Sequence, residues 1–302
     1  MGEKIWHGVY PAITTKFAEN GSIDLTAFER SLTALSDAGS DGIIIGGSLG
    51  ETSTLSEDEK FILLEKALET VGNRVHIILN IAEQCTSVGA SQAERAEKLG
   101  AHGLMLLPPM RYKADERETV TFFRDIAGAS DLPVMIYNNP VDYKIDVTPE
   151  MFVEMEDMKN ITAVKDSSRD TTNFTRMKNL FGDRFKIMCG VDTLAFEYLT
   201  LGADGWVAGL VCAFPDETVA IFQLLREGRL IEAREIFRWF LPLLELDIHP
   251  KLVQYIKLAE SVTGLGNEWV RPPRLPITGA ERERILKIIE NGIKTRPVLS
   301  AY

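Results

Sequence analysis

Eight short apolar runs recur along the chain, with helix-like stretches of three-to-four-residue apolar spacing between them. The runs are 8–16 (GVYPAITTK), 42–48 (GIIIGGS), 75–81 (VHIILNI), 103–109 (GLMLLPP), 133–139 (PVMIYNN), 161–168 (ITAVKDSS), 186–192 (KIMCGVD) and 205–211 (GWVAGLV). They are rich in Ile, Val, Leu and Met and do not alternate with polar residues. A strand wetted on one face alternates, whereas a parallel strand covered on both faces does not. The stretch 25–38 places Leu25, Phe28, Leu32 and Leu35 on one helical face. The stretch from Ser56 to Thr70 opens on Ser56-Glu57-Asp58-Glu59, the pattern of a capping box. Residues 90–99 and 117–129 follow the same rule, and Gly39, Gly100 and Gly202 stand where helices should stop.

One helix-to-strand connection is reused. It reads Ala38-Gly39-Ser40-Asp41-Gly42, Leu99-Gly100-Ala101-His102-Gly103 and Leu201-Gly202-Ala203-Asp204-Gly205. Eight repeats of one βα unit predict an α/β fold, a (β/α)8 barrel of the TIM type. No G-x-G-x-x-G follows the first run, which counts against a dinucleotide-binding sheet. After the eighth run the pattern becomes helical at 216–227, 230–245, 250–263 and 280–294. One of these closes the barrel. The predicted division is therefore a barrel over 1–225 and a C-terminal helical extension over 226–302, with Pro272-Pro273 and Pro276 marking a turn before the last helix.

Charge and composition narrow the function. The 302 residues carry 44 acidic and 33 basic side chains, a net charge of -11. That argues against a nucleic-acid partner, so an anionic substrate needs a local device such as free backbone N–H groups or one buried cation. Three unpatterned cysteines (Cys85, Cys189, Cys212) and four scattered histidines (His7, His76, His102, His249) give neither a disulfide framework nor metal spacing. No metal and no cofactor are expected. The first residues lack the apolar run of a leader, and no stretch has membrane-spanning length, so a cytoplasmic protein without a membrane partner is expected.

Chemistry in such barrels collects at the C-terminal ends of the strands. Lys165 follows Ile161-Thr162-Ala163-Val164 at one such end. Desolvation there disfavours the ammonium, and a neutral amine attacks carbonyls and imines. The alternative is a structural lysine paired with Glu51 or Asp166. Tyr137 ends the fifth run, either as a proton shuttle or as a core aromatic with a satisfied hydroxyl. The loop Gly46-Gly47-Ser48-Leu49-Gly50-Glu51 can hold a carboxylate on its backbone N–H groups, or can simply be a tight turn that Glu51 orders. Cys189 reads as core packing and Cys85 as loop packing.

Taken together, Gly47-Ser48-Leu49-Gly50-Glu51, Tyr137-Asn138-Asn139-Pro140, Val164-Lys165-Asp166-Ser167 and Gly190-Val191-Asp192 resemble the dihydrodipicolinate synthase / N-acetylneuraminate lyase family of Schiff-base aldolases and lyases. The resemblance implies that Lys165 forms the Schiff base and that Tyr137 is the general acid/base. It implies that Gly47, Ser48 and Leu49 bind the substrate carboxylate, and that Gly190 and Val207 line the pocket. Leu49 stands where a Thr or Ser is usual, so only its backbone N–H can serve. The synthases carry Pro-Tyr-Tyr after the fourth strand. Here the stretch is Pro109-Met110-Arg111-Tyr112, which puts the usual three-hydroxyl relay in doubt. They also carry an Arg five residues after the tyrosine, where this chain has Asp142. The stretches at 6–12, 107–112 and 137–143 look most like the 1-pyrroline-4-hydroxy-2-carboxylate deaminases, which imply hydroxyproline breakdown to 2,5-dioxopentanoate. A 2-keto-3-deoxy sugar acid dehydratase or a pyruvate-dependent aldolase is the alternative, with dihydrodipicolinate synthase activity ranked below both. A non-enzymatic sensor is a further one. The family habit implies a small carboxylate substrate and a homotetramer or dimer of dimers.

Overall fold

The structure is a computed structural model that describes residues 5–109 and 111–299. Met110, in the loop after the fourth run, and the first four residues lie outside the described residues. The eight runs form eight strands: β1 (Gly8–Pro11), β2 (Gly42–Ile45), β3 (His76–Ile81), β4 (Gly103–Leu106), β5 (Val134–Asn138), β6 (Ile161–Asp166), β7 (Lys186–Cys189) and β8 (Gly205–Ala208). The helices are α1 (Leu25–Asp37), α2 (Glu57–Val71), α3 (Thr86–Leu99), α4 (Glu116–Ala127), α5 (Pro140–Tyr143), α6 (Pro149–Val153), α7 (Thr172–Phe181), α8 (Ala195–Thr200), α9 (Pro215–Arg226), α10 (Leu230–Leu244), α11 (Leu252–Thr263) and α12 (Gly279–Lys294).

Every strand pair is parallel, in the order β1-β8-β7-β6-β5-β4-β3-β2. A bridge between Ala12 and Ile44, and the Ile13 N–H donated to the Ile44 carbonyl at 3.2 Å, join β1 to β2 and close the ring. The fold is the expected (β/α)8 barrel. The ladders stop short of the apolar runs: β1 ends at Pro11, so Thr14, Thr15 and Lys16 leave the sheet and turn inward over its top. A one-residue shift between Val134 and Met135 resets β5 against β6 and sets Tyr137 directly beside Lys165.

Local chemistry fixes the helix ends. The Ser56 hydroxyl caps α2 while the Glu59 carboxylate accepts the Ser56 N–H, the predicted capping box. Gly100 ends α3 at φ 87°, a conformation that disfavours a side chain. Helix α3 starts earlier than the sequence pattern indicates, at Thr86, where the Val88 and Gly89 N–H groups donate to the Cys85 carbonyl at 3.1 Å. Cys85 is exposed rather than packed in a loop.

Helix α11 reaches back into the barrel mouth. Lys257 and Glu260 on α11 are both fully buried. The Lys257 ammonium donates to Glu51 at 2.6 Å and to the Trp269 carbonyl at 2.6 Å. Glu260 accepts from Thr14 at 2.9 and 2.8 Å and pairs with Lys16 at 2.5 Å. Glu51, in the left-handed region at φ 58°, also accepts the Arg271 N–H at 3.1 Å. So Glu51 orders the glycine-rich loop, and two buried ion pairs tie the C-terminal helices to the ends of β1 and β2.

Candidate active site

One cleft opens at the C-terminal ends of the strands. Gly47, Ser48, Leu49, Tyr137, Lys165, Gly190 and Val207 all line it, so every residue proposed from the sequence meets there. Lys165 rises from β6 at the centre of the wall and is 7% exposed. Its ammonium lies 4.0 Å from the centroid of the Tyr137 ring. Burial pushes its pKa below the ordinary lysine value, opposed by the nearby Tyr143, Asp247 and Asp192. Neither structural partner considered for it is in place. Glu51 is taken by Lys257. Asp166 accepts from Tyr198 at 2.8 Å, from Asn173 at 3.0 Å and from the Ser168 N–H at 3.0 Å. What remains is a desolvated amine without a carboxylate bonded to it, which is a nucleophile.

Gly190, at the end of β7, is what lets Lys165 lie there. A Cβ on Gly190 would fall 2.7 Å from Lys165 Cε and 2.2 Å from Ser167 Oγ. Across the barrel, the Ser48 and Leu49 N–H groups donate to no group among the described residues. Both residues line the cleft, and unpaired backbone N–H groups of this kind are able to hold an anion.

Tyr137 keeps its hydroxyl by burial, which pushes its pKa up to about 12, offset in part by Ser167 and Asn139 beside it. Asn139 donates to the Tyr137 oxygen at 3.1 Å and to Asp142 at 2.8 Å. Tyr143 was not picked out from the sequence. It ends α5, stacks edge-on to Tyr137 with ring centroids 5.5 Å apart, and bonds its hydroxyl to that of Ser48. Burial raises its pKa too. Ser48 and Tyr143 thus bond hydroxyl to hydroxyl within a single chain, with the Tyr137 ring beside them. The second tyrosine lining the cleft comes from the segment after β5 and not from the loop after β4. Arg111 and Tyr112 are exposed and are not among the residues lining the cleft.

Two further lining residues escaped the sequence reading. Arg169 follows β6 with φ 63°, and Asp247 hangs from the turn between α10 and α11. The only sequence signal for Arg169 is its closeness to Lys165, and for Asp247 there is none. Cys189 is fully buried and its thiol pKa is pushed up by burial, as core packing requires. Among the described residues no group of three or more His, Cys, Asp or Glu side chains can hold a metal ion, and no helix is long and apolar enough to cross a membrane.

Residues 6–292 match the model of the dihydrodipicolinate synthetase family. The chain belongs to that family. Its members are lyases that work through a Schiff base. The chain is 31% identical over 292 residues to the 4-hydroxy-tetrahydrodipicolinate synthase of an Exiguobacterium species, covering 96% of this chain and 99% of that one. It is 29% identical over 282 residues to 4-hydroxy-tetrahydrodipicolinate synthase 2 of Halalkalibacterium halodurans, covering 93% and 97%. Among solved structures, the 4-hydroxy-tetrahydrodipicolinate synthase of Methylacidiphilum fumariolicum superposes with a TM-score of 0.91 at 29% identity, over 96% of both chains. A putative dihydrodipicolinate synthetase from Pseudomonas aeruginosa superposes at 0.90 with 31% identity, over 95% and 99%.

Proposed function

We propose that this family member is a deaminating lyase. It forms a Schiff base between Lys165 and C2 of 1-pyrroline-4-hydroxy-2-carboxylate, and it releases 2,5-dioxopentanoate and ammonia. The observation that carries this reading is the charge of the cleft rim. Asp142 occupies the place where the synthases carry an arginine. Arg169 is the one guanidinium among the residues lining the cleft. A rim with Asp142 in that place suits one substrate carboxylate, seated on Ser48 and Leu49, and a hydroxylated rather than a second anionic end.

The steps follow from the side chains. The neutral Lys165 amine attacks C2. One proton from the amine and one from Tyr137 pass to the ring nitrogen, which leaves C2 as a primary amine. The products of this step are a cationic Schiff base and a Tyr137 phenolate beside it. The phenolate removes a C3 proton, made acidic by the Schiff base, and the C4 hydroxyl departs as water. Return of a proton to C3 and loss of one from C5 move the double bond to C4–C5, forming an enamine. The enamine gains a proton at C4 and loses one from nitrogen, and two waters then hydrolyse the resulting C5 imine and the C2 Schiff base, releasing ammonia and the lysine. One water leaves and two enter, so the sum is substrate plus water to dioxo acid plus ammonia. The lysine nitrogen is the electron sink throughout.

The Tyr137 phenol, pushed up to about 12, is protonated across the working pH range and so can donate at the first step. Tyr137→Phe is expected to slow turnover by roughly 10²- to 10³-fold while borohydride still traps substrate on Lys165. Equal rates for the variant and the natural chain would remove Tyr137 from the mechanism.

The relatives' names favour a second reading, 4-hydroxy-tetrahydrodipicolinate synthase activity. Borohydride trapping separates the two. We expect the hydroxypyrroline carboxylate to leave an adduct on the Lys165 peptide, identified by mass, with ammonia released in unreduced samples. Adducts from pyruvate alone, without ammonia from the hydroxypyrroline, would favour the synthase or an aldolase. A homotetramer or dimer of dimers is the assembly that the family resemblance implies.

A further inference from the structure

The cleft has two ends fixed by the geometry above. The carboxylate seat lies on the loop after β2, and Lys165 stands on β6 across the barrel. A substrate held at both must send its remaining atoms toward β4 or toward β7 and β8. The β4 side presents the Met105 side chain, which is buried and apolar. The β7–β8 side presents Gly190 and Gly209, which leave room, and one carboxyl without a partner. Asp247, half-buried above Gly209, has no hydrogen-bond partner for its carboxyl among the described residues. Its Oδ1 lies 2.2 Å from where a Cβ on Gly209 would sit, so any side chain at 209 would displace it.

The neighbouring acid shows the contrast. Asp192 accepts from the Trp206 indole at 2.9 Å, the Leu210 N–H at 2.8 Å and the Gly209 N–H at 3.2 Å. Its bonding capacity is spent on holding β8 in place. That of Asp247 is entirely free and faces the cleft.

We propose that Asp247 protonates the oxygen that leaves C4 of the Lys165-bound substrate. The inference rests on the elimination reading above and assigns the acid that this reading lacks. As the C3–H bond breaks toward Tyr137, the C3 electron pair forms the C3–C4 double bond. The C4–O bond breaks, its electron pair takes the Asp247 proton, and water departs. The Asp247 carboxylate left behind then removes the C5 proton in the tautomerisation, which restores the acid. The charged groups that surround Asp247 are Asp192 beside Gly209, Lys165 on β6, Asp142 at α5 and Arg169 after β6. Burial and Asp192 hold its carboxyl well above the usual carboxylate range, the state a proton donor needs.

The test compares Asp247→Asn, which keeps the shape of the side chain, with the natural chain on two substrates. One is the 4-hydroxypyrroline carboxylate. The other is its 4-fluoro analogue, whose leaving group departs without a proton. The variant should lose about 100-fold on the hydroxy ring, while its rate of fluoride release from the fluoro ring, read at the elimination step alone, stays within about threefold of the natural chain. The borohydride adduct on Lys165 should form equally in both proteins. Undiminished ammonia release from the hydroxy ring by Asp247→Asn would overturn the proposal. So would an equal loss on both rings, which would make Asp247 a positioning residue. If the natural chain eliminates neither water nor fluoride, the elimination reading itself falls, and the assignment of Asp247 falls with it.

Discussion

Lys165→Met is expected to lose at least about 10⁵-fold in turnover, to give no borohydride adduct, and yet to unfold at a higher temperature than the natural chain. The loss of activity follows from removing the one amine among the described residues lining the cleft, which burial holds ready to attack. The gain in stability follows from the same burial. Lys165 is 7% exposed, has no carboxylate bonded to it, and lies against the face of Tyr137. Folding strips water from its amine without returning an ion pair. Methionine keeps most of the stem that packs against Gly190 and removes the polar end, so roughly 1–2 kcal/mol of stability should return. Thermal unfolding of the two proteins at neutral pH checks this, alongside far-UV circular dichroism to confirm the fold. A variant that still traps substrate would move the Schiff base to another lysine. A variant less stable than the natural chain would show that the amine is better satisfied than its surroundings indicate.

Glu260→Ala should have the largest effect on stability away from the cleft. Lys16 and Glu260 are both fully buried, 2.5 Å apart, and Thr14 donates to the same carboxylate. Removing Glu260 leaves the Lys16 ammonium in the interior with no compensating charge, a change that costs about 3–5 kcal/mol. In a chain of this length that corresponds to a fall in melting temperature of roughly 10 °C. Lys16→Met together with Glu260→Leu should recover most of the loss, because the cost lies in the orphaned charge rather than in the missing attraction. If the double variant melts as low as Glu260→Ala, the bond to Thr14 carries the stability instead. Activity should fall in the single variant as well. The pair anchors Thr14 at the end of β1, next to the loop that seats the substrate carboxylate.

The barrel was legible because its strands are covered on both faces. Ile43-Ile44-Ile45 and Ile77-Ile78-Leu79 cannot alternate when helices pack outside them and neighbouring strands fill the inside. Lys165 and Tyr137 were legible because they break such runs at the ends where barrels do chemistry. Their mutual register depends on the bulge at Val134 and Met135, which no single-strand pattern reveals. Tyr143 was hidden because its place over Ser48 depends on how α5 turns back after β5. Asp247 was more deeply hidden. It stands eighty-two positions beyond Lys165, and only the return of α11 into the barrel mouth brings it over Gly209. The same return explains Lys257 and Glu260. Burying two charged side chains on one helix makes sense only once their partners Glu51 and Lys16 are seen on the strand ends.

The position of Tyr143 has a consequence for assembly. Its hydroxyl bonds to that of Ser48 inside one chain, and its ring lies edge-on to that of Tyr137, so both tyrosines lining the cleft come from the same copy. Rates per chain should therefore survive dilution as long as the barrel itself stays folded.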